Sequence, residues 1–340
     1  MVLAFKGEVA MRSVLNSSLS LRKRTPRLRV GFTLIELMVV IVIIAILIGL
    51  LVPAVMGVRK TARDVEVRTD ISKLEDAIAK FKVTYGTEPP SQLTLYAAPA
   101  TWELTAVSRR HKGLIKQLWP QFSFATCGGL SDGTKFPPPW PATQTTLDLS
   151  GSESLVFFLG GLVSSTSGAF SGFSKDPQFP FGTGTTREGP FFEFKGSLIT
   201  AVTTAGDSAW NGRLTDKDGD WFPEYRDTLP QQQSPYLYFN GINGYRTDFG
   251  TAGTPPWHNT DNYGGPATMS INNAYYSSLN LMTAPAMSAP HKPKGIQIIS
   301  PGADGQYGIG GLFNPAMPSS LSNDSDRDNI TNFHSGRLGG

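Results

Sequence analysis

The chain has 340 residues, of which only 17% are charged, with 36 glycines and 25 prolines, a composition that argues against a helical bundle and for loop-rich, β-leaning structure in one large domain or two ordinary ones. Net charge is +3, but residues 1–31 hold seven basic side chains against Glu8 and so carry +6, leaving −3 on residues 32–340. No basic surplus remains there for phosphates, which excludes a nucleic-acid reading based on overall charge, and the lone Cys127 excludes an intramolecular disulfide.

In chain order, the first element is a basic leader over residues 1–31, with Met1 and Met11 both available as starts. An apolar segment follows over residues 32–58, with no polar side chain between Leu37 and Val52. At about 1.5 Å per residue, a helix of this length matches the ~30 Å hydrocarbon core of a bilayer. A cleaved secretory signal has a shorter apolar region, about 7–15 residues, and ends in a small-x-small site; neither fits here. The Arg/Lys cluster at 22–29 orients the leader to the cytoplasm and the remaining bulk outside.

A plain single-pass anchor accounts for the hydrophobicity but not for Glu36, because a carboxylate near the middle of a bilayer costs roughly 2.5–3.5 kcal/mol. A cut between Gly31 and Phe32 would place a new α-amine one helical turn from Glu36 at the same depth. The two charges then neutralise each other, within one chain or between neighbours, and many such helices can pack side by side.

The run Arg29-Val30-Gly31-Phe32-Thr33-Leu34-Ile35-Glu36 resembles the cleavage and methylation motif of type IV pilins and type II secretion pseudopilins, with Pro53 also where those helices carry a proline. The resemblance implies that a membrane prepilin peptidase cuts after Gly31 and methylates Phe32, and that Glu36 serves assembly. It further implies a pilin-like α+β fold, in which a long helix packs on an antiparallel β-sheet head.

After the membrane, Ile71, Leu74, Ile78, Phe81 and Tyr85 keep helical spacing on one face until Gly86 and Pro89-Pro90 stop it, which predicts one helix from about Thr33 to about Gly86. Residues 59–90 form its amphipathic half, and 91–340 form an extracytoplasmic head. Within the head, 91–221 and 241–293 read as large loop-rich insertions. Residues 114–119 suggest a short helix and 136–142 a rigid proline loop, while 154–162 and 190–202 are short apolar runs. Strands are expected at 234–239 and 295–300. Asp70–Pro90 resembles the major pseudopilin helix, and the order of motifs over 227–333 is similar to that subfamily's C-terminal half.

Two acidic clusters offer oxygens for calcium, which takes six to eight. Asp324, Asp326 and Asp328 alternate near the C-terminus, with Asp304 in a Gly-Ala-Asp-Gly turn; the major pseudopilins hold calcium in this region, and the resemblance implies Ca2+ here. The plainer reading is a set of solvated turn residues. Asp216, Asp218 and Asp220, followed by Glu224 and Asp227, begin like an EF-hand loop but have Gly at the fourth place instead of the sixth, so a different calcium loop is the functional reading.

The four histidines (His111, His258, His291, His334) show no metal-ligand spacing, and no Gly-x-Ser-x-Gly elbow is present. No enzyme is expected. The leading expectation is a pilin-like subunit of the inner membrane that self-assembles through a secretion or pilus machinery, with no nucleic-acid partner. The alternative is a non-polymerising anchored protein that binds a surface or carbohydrate through Trp140, Trp210, Trp221 and Trp257; a hydrolase resting on Ser208 stands third.

Overall fold

Helix α1 (Leu34–Tyr85) runs unbroken through 52 residues in a computed structural model, in which residues 32–129, 145–164, 167–182, 186–198, 210–216, 222–241, 275–278, 289–292, 294–308, 310–318, 321 and 323–340 are described. The predicted span is reproduced to within a residue at each end. Pro53 lies inside α1 without ending it. Gly86 ends it by adopting φ +78° and donating its N–H to the Lys82 carbonyl at 2.8 Å.

The chain divides into two compact units, residues 1–56 and 57–340. In the first, the apolar side chains from Phe32 to Met56 are exposed, on a helix long and apolar enough to cross a membrane. In the second, α1 becomes one-sided: Val67, Asp70, Ile71, Leu74, Ala77, Ile78 and Phe81 are buried at three- and four-residue intervals.

The remaining elements are β1 (Leu93–Tyr96), α2 (Ala106–Leu118), β2 (Thr146–Leu149), α3 (Gly151–Gly160), β3 (Phe173–Ser174), β4 (Arg187–Glu188), β5 (Leu214–Thr215) and β6 (Glu224–Tyr225). They continue with β7 (Leu237–Asn240), β8 (Tyr275–Ser278), β9 (Ala289–Pro290), β10 (Ile296–Ser300), β11 (Gly311–Leu312), α4 (Asp324–Asp328) and β12 (Ile330–Thr331). The sheet β7–β10–β12 is antiparallel, with Ile298 opposite Tyr238 and Ile299 opposite Leu237. These are the two strands expected at 234–239 and 295–300, slightly shifted. Alternation along them splits the interior in two. Tyr236, Tyr238, Ile296 and Ile298 join the main core, while Leu237 and Ile299 face a smaller one with Tyr275, Tyr307, Phe313, Leu321 and Leu338. The fold is α+β and pilin-like: a long helix packed onto small sheets, most of them antiparallel, with loop-rich insertions.

The first insertion does not hang outside this core. Phe81 packs on Phe158 (5.7 Å between centroids) and Phe191 (5.4 Å), and Tyr85 on Trp119 (5.5 Å). The apolar run at 154–162 is the body of α3, all ten of whose residues are buried. A short apolar run has the same look as a buried strand or a buried helix, and here length and its N-terminal acceptor decide for helix: Glu153 accepts the Ser150 N–H at 2.7 Å. The helix ends where Gly161 (φ +78°) meets Gly172 so closely that a Cβ would lie 2.3 Å from the Gly172 backbone. Helix α2 starts earlier than its expected span, because Thr105 and Ser108 form a reciprocal capping box. Residues 190–198 are irregular, with Leu198 bridged to Trp210. Cys127 is buried in the main core, with its thiol directed at the Ala97 carbonyl (3.2 Å).

Candidate functional site

The first turn of α1 is built from its own side chains. Thr33 donates both its N–H and its Oγ1–H to Glu36 Oε2, each at 2.9 Å, and the Glu36 N–H returns to Thr33 Oγ1 at 3.2 Å. This is a capping box: it satisfies two donors that a helix start leaves open and places a negative group at the positive end of the macrodipole. The carboxylate predicted from its position alone therefore has a defined partner, and the Thr-x-x-Glu spacing that announces it was present in the sequence. Phe32 stands one residue outside the box, 82% exposed. Gly31 lies outside the described residues.

The C-terminal aspartates are brought into one region and then put to separate uses. Asp326 is buried, and its Oδ1 accepts Tyr275 Oη–H at 2.8 Å and the Gly310 N–H at 2.9 Å. Burial, with Asp326 alongside, raises the Tyr275 pKa well above that of a free phenol. Asp328 Oδ2 accepts the Asp304 N–H at 3.0 Å and that of Ala303, while its Oδ1 meets the Arg337 guanidinium. Asp304 accepts the Gln306 N–H at 2.8 Å, and Asp324 pairs with Arg327 at 3.2 Å. Among the described residues no three His, Cys, Asp or Glu side chains are grouped to hold a metal ion. Asp328, one of the aspartates the calcium reading would use, faces two N–H groups and a cation.

Of the second acidic cluster, Asp216 is half-buried beside β5, and Asp218 and Asp220 lie outside the described residues. Glu224 and Asp227 belong to the core instead. Asp227 accepts the Leu229 N–H (2.9 Å), Gln232 Nε2–H (3.2 Å) and the Ser300 hydroxyl. Burial pushes its carboxyl pKa up, against the opposing pull of these donors.

The model of the prokaryotic N-terminal methylation motif matches residues 31–52. The N-terminal segment is a prepilin-type motif. The chain is also similar to type II secretion system core protein G of Escherichia coli K12, 40% identical over 91 residues that make up 26% of this chain and 62% of that protein. The same-named protein of Aeromonas hydrophila is 41% identical over 90 residues, 26% of this chain and 63% of that one. That of Klebsiella michiganensis is 43% identical over 67 residues, 20% and 47% respectively. The chain thus spans about half to just under two thirds of the length of the curated relatives it matches. No solved structure matches.

Of the residues behind the other readings, Trp210 alone is among the described ones. Trp210 is buried and stacked on Phe170 (6.0 Å, 7°), a core contact and not a binding surface. Trp140, Trp221, Trp257, Ser208 and His258 lie outside the described residues. His111 is buried and accepts the Thr94 N–H at 3.2 Å, and His291 stacks on Phe333. Sequence reasoning missed the anchors of the head on α1: Arg213 to Asp70, Arg337 to Asp64 and Lys292 to Glu75. Each joins residues more than 140 positions apart, and no local spacing marks them.

Proposed function

We propose that this chain is a pilin-like structural subunit, without enzymatic activity, of a type II secretion filament. In this reading a prepilin peptidase in the inner membrane cuts after Gly31 and methylates the amine of Phe32. Cleavage removes the +6 leader and leaves one positive group at the depth of Glu36. Until then Thr33 holds the Glu36 carboxylate; afterwards the amine of the same or a neighbouring chain competes for it. An opposite charge in a medium of low dielectric is a strong and specific partner, so the pairing sets the axial register of neighbouring helices. The secretion machinery then extracts the subunits, apolar halves inward and heads outward.

The observation that carries this reading is the carboxylate fixed in the first turn of an exposed apolar helix, directly after a Gly–Phe bond. An ordinary anchor has no use for it. The test is Glu36→Ala in the native host. The variant is expected to be inserted and trimmed to Phe32 by mass spectrometry, yet absent from sheared surface filaments. Mature protein that retains residues 1–31, or Glu36→Ala filaments as abundant as wild type, would overturn the proposal.

A further inference from the structure

Arg337 is 9% exposed. Its Nε and Nη2 donate to the two carboxylate oxygens of Asp64 on α1, at 2.9 and 2.7 Å, a bidentate pair. Its Nη1 meets Asp328 Oδ1, and the other oxygen of Asp328 caps the Ala303 and Asp304 N–H groups. One planar cation thus links helix, C-terminal tail and the 301–305 turn. The neighbours of Arg337 are fixed as well: the Leu338 N–H donates to Asn329 O at 3.0 Å, the Gly339 N–H to Arg327 O at 2.8 Å, and Leu338 is fully buried.

A divalent cation in such a loop does two things: it neutralises clustered carboxylates and ties together segments distant in sequence. Arg337 does both here, and a guanidinium is always protonated at ordinary pH, with a fork that matches carboxylate geometry. We propose that Arg337 is the built-in cation of this head, closing the C-terminal loop onto α1 so that the loop keeps its shape without bound calcium. The inference is independent of the filament reading and stands or falls on the isolated subunit.

The test uses the full chain in detergent, with thermal unfolding followed by intrinsic fluorescence in excess EDTA and in excess calcium chloride. The wild-type midpoint is expected to be the same in both. Arg337→Gln strands two partly buried carboxylates and is expected to lower the midpoint by roughly 6–10 °C in either solution. A wild-type midpoint that falls in EDTA and recovers with calcium would overturn the proposal, as would an Arg337→Gln midpoint equal to wild type. Should that variant not fold, calorimetric titration of calcium into EDTA-treated wild-type protein decides: no saturable binding is expected, and saturable binding overturns the inference.

Discussion

Asp70 stands on the buried face of α1, where an uncompensated carboxylate costs several kcal/mol. Arg213 reaches it with two donors at 3.2 and 2.5 Å, Tyr236 adds its hydroxyl at 3.0 Å, and the guanidinium lies 4.2 Å from the centre of the Tyr225 ring. Burial raises the Tyr236 pKa, so the phenol stays protonated and donating. Asp70→Asn and Arg213→Met should each lower unfolding free energy by about 3–5 kcal/mol, and the double variant by less than the sum, as read from denaturant midpoints. Asp227 gives a pH signature of opposite sense to a salt-bridged acid. Its folded pKa lies above the unfolded value, so the native state binds more protons between the two, and stability contributed by this group falls as pH rises through that window. Asp227→Asn should remove that component of the slope while wild type retains it, in denaturation midpoints measured across a pH series. Neither residue could be picked out beforehand. Asp70 reads as one more charge on a mixed helix and Asp227 as part of an acidic loop; what distinguishes them is burial, which long-range packing decides.

Helix α1 was legible because two independent signals agree: apolar residues at three- and four-residue spacing, and a Gly-then-Pro-Pro stop. Helix α3 was not, because a segment buried all round has no periodicity to read. Its start depends on Glu153 accepting the Ser150 N–H, and its exit on the Gly161–Gly172 approach. Glu153→Ala should cost about 1–2 kcal/mol in unfolding free energy, the range for losing a helix-start acceptor. Gly161→Ala should be worse, since it adds both a disfavoured backbone region and a collision with backbone that cannot turn away. A soluble-fraction assay of the expressed head-bearing chain should find most of that variant aggregated. The N-terminal motif is readable for the opposite reason: Gly31, Phe32, Thr33 and Glu36 are neighbours in sequence, and the motif match over 31–52 rests on that local pattern alone. The C-terminal aspartates alternate in sequence, which suggests a shared site, while the partners that meet Asp328 and Asp326 in the structure, Arg337 and Tyr275, lie outside that local pattern.

For the molecule as a whole, the charge distribution is a topology statement. Under the proposed reading, the seven basic side chains of residues 1–31 ahead of an apolar helix keep that end in the cytoplasm and put the head outside it, as the positive-inside rule requires. Protease added to spheroplasts should therefore digest the head of the unassembled subunit and leave the leader-proximal peptide intact; protection of the head would reverse the assignment. In the proposed filament the head would have to survive extraction and crowding, and three long-range ion pairs fasten it to α1.

The sulfur of Cys127 is sealed inside the aromatic interior, and burial raises its pKa above that of a free thiol, so it is a poor target for alkylating reagents. Since the chain has no other cysteine, any thiol engineered onto the surface would be the single reactive one. Native sequence thus already serves as a silent background for spin-label and bismaleimide scanning, by which any contacts between protomers of the proposed filament can be charted one position at a time.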